Sequence, residues 1–169
     1  MAADASILAD RDVDGECVLP PGEPVPPDLP IEDVVSGLLD WIELATSYSV
    51  AAVRSSPPEL TFCDVGDEIP YETGSTLVDH PLKGAYDHVR YRINLVRPWD
   101  HTDRRDLSVL LHELIHAVQL ANRSYDCVQQ PEWEAYKLQE QYLAEYGIEA
   151  GFDWVKIYFW SACPPDIHP

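Results

Sequence analysis

LHELIHAV, the sequence of residues 111–118, predicts both a helix and a metal site. It places His112 and His116 four positions apart, with Glu113 directly after the first histidine. On a helix, residues at i and i+4 lie on one face, about 6 Å apart at Cβ, so both imidazoles can reach one metal ion. Glu113 is rotated by one step, so its carboxylate would lie beside the metal, where a general base can act on metal-bound water.

The surrounding sequence supports a long helix. Residues 103–121 contain neither Gly nor Pro. Apolar side chains recur at helical spacing and form one stripe, which comprises Leu107, Leu110, Leu111, Leu114 and Val118. Thr102 or Asp103 can cap the first turn, because a short polar side chain accepts hydrogen bonds from the free amides there.

A third histidine ligand is not expected. In some HExxH proteins a Gly three residues after the second histidine and a His three residues further on complete the metal site. This chain has Gln119 and Asn122 at those positions. The third ligand must therefore come from elsewhere, and a carboxylate of the following helix is the alternative.

That following helix is predicted over residues 131–147, PEWEAYKLQEQYLAEYG. Proline is favoured at the first helical position, acids follow in the first turn, and glycine marks the end. Glu132 and Glu134 are both candidate ligands. We favour Glu132, because it lies on the more apolar face and Ala135, three residues later, allows the two helices to approach closely.

HExxH followed on the next helix by ExxA resembles the pattern of the gluzincin zinc metallopeptidases. In that clan the third ligand begins an E-x-x-[AS]-[DN] pattern, which this chain matches at Glu132 and Ala135. It departs at Tyr136, where an acidic or amide residue usually orients a ligand histidine; a phenol could do so through its hydroxyl. Residues 55–147 are also similar to small bacterial HExxH domains of minimal gluzincin type. The resemblance implies a zincin-like fold and zinc-dependent peptide hydrolysis.

Composition narrows the range of partners. The 169 residues carry a formal charge of −19, so we expect no nucleic-acid partner. No apolar run approaches the ~18 residues of a membrane span, and the start of the chain lacks the basic and apolar parts of a secretory signal. We therefore expect no membrane contact and a cytoplasmic or virion-associated protein.

The four cysteines, Cys17, Cys63, Cys127 and Cys163, lack CxxC spacing. A cysteine-based zinc site is therefore not expected. Because no signal peptide is expected either, we predict free, buried thiols.

Three regions differ in composition. Residues 1–30 hold six prolines and seven acids, which predicts an extended arm that could contact a protein assembly partner. Residues 31–163 are expected to form one zincin-like domain, and residues 164–169 an exposed tail. The domain length is sufficient for a sizeable core.

Within the domain we predict an α+β fold with a small twisted sheet. Apolar spacing predicts a helix over residues 31–48, and a short strand follows at residues 59–65. Residues 66–83 are loop-like, and the alternation from residue 89 to residue 96 predicts a strand. The aromatic segment at residues 151–163 is compatible with a strand or a short helix, and we expect it to serve the core or a partner contact.

Basic residues are concentrated just before the predicted helix that carries His112 and His116, which we call the metal helix. Six of the eleven Lys and Arg residues fall between positions 83 and 105. This cluster either balances the charge of the acidic arm, which we favour, or binds substrate.

The function expected from these features is peptide hydrolysis with one Zn²⁺ per chain. His112, His116 and Glu132 would bind zinc and leave a position for water, and Glu113 would act as general base on a peptide or protein substrate. An edge strand near residues 90–96 could bind that substrate by strand addition. The group that stabilises the oxyanion stays open among four tyrosines, Tyr125, Tyr136, Tyr142 and Tyr158.

An alternative keeps the fold without the activity. The domain would then be a silent zincin-fold assembly module, for example of a virion, that docks through residues 1–30 and its aromatic C-terminal segment. A fourth protein ligand on the metal would favour this alternative, because structural zinc sites are closed.

Overall fold

The computed structural model describes residues 23–24 and 29–163 of the chain. Its elements in chain order are β1 Glu23–Pro24, α1 Ile31–Ala45, α2 Ala51–Ser55, β2 Glu59–Cys63, β3 Glu68–Tyr71, β4 Gly74–Leu77, β5 Gly84–Asp87, β6 Arg92–Val96, α3 Arg104–Asn122, α4 Glu132–Glu145 and α5 Trp154–Trp160. Most of the predicted arm, the predicted tail and Cys17 lie outside the described residues. The partner expected for the arm therefore stays a prediction.

The helices and strands confirm the predicted α+β class. One sheet has four strands in the order β1-β2-β6-β5, in which β2 and β6 are parallel and the other pairs antiparallel. Strands β3 and β4 form a separate antiparallel pair. Strand β5 is thus an edge of the larger sheet, and it packs against α3.

Helix α3 lies at the centre of the domain, in contact with α1, α2, α4, β5 and β6. Asp103 caps its start as predicted, since its carboxylate accepts hydrogen bonds from the backbone amides of Arg105 and Asp106. The predicted apolar stripe is buried along its whole length. Full burial of one such side chain contributes roughly 1.5–3 kcal/mol, so this stripe is a main source of stability.

Helix α4 packs closely on α3 because Ala135 lies fully buried between them. Leu138 and Leu143 of α4 extend the same core. Gly147 ends the region as expected: its φ of +69° is a left-handed conformation that glycine adopts without strain. The amide of Ile148 then donates back to the Leu143 carbonyl at 3.0 Å.

Two boundaries differ from the sequence prediction. Helix α1 ends at Ala45 instead of residue 48, because the Thr46 hydroxyl donates to the Ile42 carbonyl and accepts from the Tyr48 amide. Residues 66–83, predicted as loop, contain the β3–β4 hairpin. It is stabilised by a small second core in which Ile69 and Val78 are buried.

The predicted strand at residues 89–96 begins only at Arg92. Before it, the buried carboxylate of Asp87 accepts hydrogen bonds from the amides of Val89 and Arg90, which makes those residues a turn. Strand β6 also lies between β2 and β5, so the expectation that it is a substrate-binding edge was wrong. The edge beside the metal helix is β5.

The prediction of free thiols was wrong for two cysteines. Cys127 and Cys163 form a disulfide, which ties the loop between α3 and α4 to the residues after α5. Cys63 is free and buried. Spacing alone did not indicate this pairing, because the two cysteines are 36 positions apart.

Helix α5 resolves the ambiguity of the aromatic segment in favour of a helix. Only Ile157 of α5 is buried, whereas Val155, Tyr158, Phe159 and Trp160 are exposed. The segment therefore adds little to the core. Within the described residues, no helix combines the length and apolar character needed to cross a bilayer.

We predict that the double substitution Cys127→Ser and Cys163→Ser lowers the free energy of unfolding by about 2–4 kcal/mol. The disulfide restricts the unfolded chain over a separation of 36 residues, and its loss returns that entropy. Urea unfolding curves measure the change. Adding dithiothreitol should destabilise the wild type by a similar amount and leave the double variant unchanged. A wild type that is equally stable with and without reductant would contradict this assignment.

Candidate metal centre and active site

Three potential metal ligands meet where α4 begins beside α3. His112 and His116 project from consecutive turns of α3, and Glu132 is the first residue of α4. The His112 Nε2 atom lies 3.0 Å from His116 Nε2 and 3.2 Å from Glu132 Oε2. The His116 Nε2 atom lies 3.4 Å from Glu132 Oε1. The histidines are buried and Glu132 is partly exposed, and this group could hold a metal ion.

The spacing of these three donors fits a single tetrahedral ion. Bonds of about 2.0–2.2 Å at tetrahedral angles place two ligand atoms roughly 3.3 Å apart. The observed separations of 3.0, 3.2 and 3.4 Å lie close to that value. Two imidazole lone pairs that face each other at this distance also repel, unless a cation or a proton lies between them.

Each histidine is oriented through its other ring nitrogen by a glutamine. The His112 Nδ1 atom lies 3.0 Å from Gln139 Oε1, and the His116 Nδ1 atom lies 3.1 Å from Gln119 Oε1. The amide nitrogen of Gln139 donates in turn to the Ser108 hydroxyl, which fixes the direction of the amide. Both Nδ1 atoms therefore carry a proton, and both Nε2 atoms face Glu132, where each can bind a metal ion or, in its absence, a second proton that is shared with the carboxylate.

Glu134, the second candidate ligand, lies outside the group of His112, His116 and Glu132, which we call the triad. Its Oε2 atom accepts from the Gln119 amide at 2.9 Å, from the Tyr48 hydroxyl at 2.6 Å and from Arg123 at 2.8 Å. The carboxylate thus holds the glutamine that orients His116. The geometry places Glu132 at the metal position and Glu134 one step behind it.

Tyr136 does not orient a histidine through a hydrogen bond in the described structure. Its ring packs on the ring of His112 with centroids 4.5 Å apart. Gln139 takes the orienting role, which sequence reasoning missed. The signal was available, because Gln139 follows Glu132 by seven residues, two helical turns, and so lies on the same face of α4.

Glu113 is buried beside the triad, with 7% of its surface exposed. The backbone of Tyr86 in β5 lies near the carboxylate and acts to lower its pKa. Gly84 of the same strand lies so close that an added Cβ would be 2.8 Å from Val109 Cγ1 and 3.0 Å from Glu113 Oε1. Strand β5 therefore determines where this carboxylate lies.

The environment shifts the two site carboxyls in opposite directions. Burial raises the pKa of Glu113, although the neighbouring His112 and His116 oppose the shift. Burial also acts to raise the pKa of Glu132, but hydrogen bonds with the two histidines outweigh it and hold that pKa well below its ordinary value. Glu113 is thus the better proton acceptor, and Glu132 the better permanent anion.

The site opens into a groove made of two adjoining pockets of about 620 and 640 Å³. Both are lined by Leu82, Gly84, His112, Glu113 and Tyr136. The loop-side pocket, which continues past His116, is further lined by Glu72, Tyr125, Asp126, Cys127 and Glu132. The α5-side pocket continues towards the first turn of α3 and is further lined by Asp79, Lys83, Arg105, Lys156 and Trp160.

The groove also separates the four candidate tyrosines. Tyr125 and Tyr136 line it, whereas neither Tyr142, buried in the core, nor Tyr158, exposed on α5, is part of its lining. Tyr71 of β3 lines it as well; it was missed because its region was predicted as loop. Burial raises the pKa of Tyr136 to about 12 and also raises that of Tyr71, so both phenols are proton donors at neutral pH.

The chain belongs to the family described as domain of unknown function DUF6647, whose model matches residues 28–169. Neither the search of curated proteins nor the search of solved structures gives a match. The matched range contains the whole triad, Glu113 and both orienting glutamines.

We predict that Glu132→Ala removes high-affinity metal binding, whereas Glu134→Ala weakens it only about 10- to 100-fold. Glu132 is placed as a ligand, and Glu134 acts through Gln119 on the orientation of His116. Competition with a chelating dye measures both affinities, and Gln139→Leu should resemble Glu134→Ala. Glu140→Ala, an α4 variant outside the triad and its glutamines, is the control. Loss of metal in Glu134→Ala with retention in Glu132→Ala would reverse the assignment.

Proposed function

We propose that the protein is a zinc-dependent peptidase. The observation that carries the proposal is the buried carboxylate of Glu113, which lies beside a three-donor metal site and borders an open groove. A protein that needed the metal only for stability would have no use for a second, uncoordinated carboxylate at that position. The match to DUF6647 supplies no activity, so the proposal depends on the geometry.

Zinc is the ion that we propose for the triad, one per chain. Two histidines and one carboxylate are a donor set of catalytic zinc sites, which keep a fourth position for water. Within the described part of the chain, no further His, Cys, Asp or Glu joins the cluster. When bound, zinc would supply Lewis-acid chemistry: it polarises a carbonyl and lowers the pKa of water to about 7.

The chain's own residues would carry the proton transfers. Glu113 would take the proton of the attacking water and return it to the amine that leaves. Its raised pKa favours the first step, because a more basic carboxylate takes up the proton more readily. Gln139 and Gln119 accept hydrogen bonds from the Nδ1 atoms of His112 and His116, which leaves the two Nε2 atoms to bind the zinc ion.

Substrate would bind along β5, the edge strand beside α3. The Val96 amide donates to the Lys83 carbonyl, so Lys83 and Val96 form a hydrogen-bonded pair of the antiparallel ladder between β5 and β6. Hydrogen-bonded and non-hydrogen-bonded pairs alternate in such a ladder, so the backbone N–H and C=O of the next residue, Gly84, point away from β6. A peptide in extended conformation could use these groups by strand addition. This assigns to β5 the role that sequence analysis had given to residues 90–96.

A second candidate function is a silent assembly module. The exposed apolar side chains of α5 favour it, because helix faces of this kind often contact a partner. A site closed by a fourth protein ligand would also favour it, but the described cluster has three. Peptide cleavage by the wild type decides between the two functions.

The Cys127–Cys163 disulfide favours a place of action outside the reducing cytosol. Disulfides persist in oxidising compartments and are rare in cytosolic proteins. Alkylation of free thiols in the source cells, followed by mass spectrometry, tests this inference; a fully reduced pair in the functioning protein would contradict it.

We predict that Glu113→Gln retains zinc and the fold but loses peptide cleavage by about 10²–10⁴-fold. The amide has almost the same shape and volume as the carboxylate, so the substitution removes the base and little else. Quenched fluorescent peptides measure the rate, and metal analysis checks the zinc content. Wild-type rates in Glu113→Gln would exclude the mechanism, and no cleavage by either protein would favour the assembly module.

We predict that Gly84→Ala lowers the cleavage rate while zinc affinity is largely retained. The new methyl group would meet Val109 and the Glu113 carboxylate at about 3 Å, so the carboxylate must move. Gly74→Ala is the matched control, because an added Cβ there has no heavy atom within 4 Å. Equal activity of the two variants would show that the position of Glu113 is not critical.

A further inference from the structure

Half of the ten described Lys and Arg side chains have carboxylate partners. Salt bridges of 2.7–2.9 Å hold Arg54, Arg90, Arg92, Arg97 and Arg123. Five other described cations have no carboxylate within salt-bridge distance. Arg104 and Lys137 lie over the rings of Tyr146 and Trp133 and do not line the groove. Lys83, Arg105 and Lys156 all line the α5-side pocket, where Lys156 also lies over the Trp160 ring.

These three cations come from three different elements. Lys83 directly precedes β5, Arg105 lies in the first turn of α3, and Lys156 lies on α5. Arg105 is positioned by a hydrogen bond of 3.0 Å to the Glu149 carbonyl, and the Lys156 ammonium lies 4.3 Å from the centre of the Trp160 ring. Among the described residues of this chain of charge −19, three of the five Lys and Arg side chains without a salt bridge thus lie beside Glu113 and His112.

The other half of the groove has the opposite character. Among the described residues that line the loop-side pocket there is no Lys or Arg, whereas Glu72, Asp126 and Glu132 are present. The groove is therefore charged differently on the two sides of the metal position. A substrate that crosses the site would meet positive charge on one side only.

We propose that the α5-side pocket binds a carboxylate of the substrate, so that the peptidase selects an acidic side chain or a free C-terminus on that side of the cleaved bond. This inference rests on the proposed peptidase function. Asp79 lines the same pocket and the Asp106 carboxylate interacts with Lys83, so these two acids offset two of the three positive charges and leave one, while a divalent ion would offset Glu113 together with Glu132. One net positive charge suits a singly charged carboxylate better than a doubly charged phosphate.

The size of the selectivity follows from the exposure of the three cations. All three are exposed. Exposed ion pairs each contribute little, so we expect a carboxylate to improve binding by roughly 5- to 30-fold over its amide. Screening should reduce the factor at high salt. The preference for a carboxylate over its amide, and the salt dependence of that preference, can therefore be measured without knowing the natural substrate.

Binding is measured with the zinc-loaded Glu113→Gln variant of the full chain, which separates binding from turnover. The probes are fluorescein-labelled decapeptides with amidated C-termini, in which one Glu moves along a Ser and Val background. Gln and Lys series are the matched controls, and a further Gln series has a free C-terminal carboxylate. We expect Glu to exceed Gln, and Gln to exceed Lys, at one position. A preference confined to the free C-terminus would identify that carboxylate as the ligand.

The variant Lys83→Gln, Arg105→Gln, Lys156→Gln should lose the preference. The control Arg54→Gln, Arg92→Gln, Lys137→Gln loses the same charge outside the pocket and should keep it. Circular dichroism melting checks that both fold. As a second route, Lys156→Glu alone should shift the preference from Glu towards Lys, and this exposed substitution does not require the triple variant to be stable.

Equal affinity for Glu, Gln and C-terminal carboxylate peptides would overturn the proposal. So would a Glu preference that persists in the variant with Lys83, Arg105 and Lys156 replaced but is lost in the control variant. Cleavage of the same peptides by the wild type is measured separately. Selective binding without cleavage would refute the peptidase function and support the carboxylate pocket. Cleavage without acid preference would support the peptidase function and refute the pocket.

Discussion

The close approach of α3 and α4 is the constraint on which the rest of the site depends. Glu132 can share one ion with His112 and His116 only if the first residue of α4 comes within about 3 Å of both rings. Ala135, fully buried one turn further along α4, permits that distance. A larger side chain there would separate the helices and remove Glu132 from the triad, so the small residue is as necessary as the ligands.

The buried polar atoms of the triad must each have a hydrogen-bond partner, since an unpaired buried polar atom costs about 1–3 kcal/mol. The structure satisfies the requirement with glutamines that connect outward. Gln139 reaches Ser108 on α3, and Gln119 reaches Glu134, which Tyr48 and Arg123 hold in place. The orientation of the metal ligands is therefore supported by residues from both sides of the domain.

Sequence periodicity predicted the parts of the fold that depend on local spacing. The metal helix, its Asp103 cap, the Glu132 helix and its end at Gly147 all follow from patterns of a few residues. Sequence analysis failed where distant contacts decide the structure. The β3–β4 hairpin depends on a small core formed with β6, and the turn before Arg92 depends on the buried Asp87 carboxylate.

The site shows the same division between local and distant information. The spacing of His112, Glu113 and His116 is local and could be read directly, and Glu132 could be favoured from its helix face. The edge position of β5 could not be read from the sequence, because strand order in a sheet is a long-range property. The Cys127–Cys163 pairing also joins segments separated by a whole helix, and Lys156 comes near Lys83 and Arg105 only through the fold.

The charges of the site explain why two carboxylates, two imidazoles and a place for a metal ion occur together. Glu113 and Glu132 place two carboxylates beside two imidazoles that are neutral when they bind a metal, and most of this group is buried. Buried charge of one sign is unfavourable without a partner, and a divalent cation offsets both carboxylates at once. Glu132 can then remain an anion while Glu113 exchanges a proton, because their pKa values are shifted in opposite directions. With a metal ion in place, as proposed, the site carboxylates would not compete for the cations of the α5-side pocket.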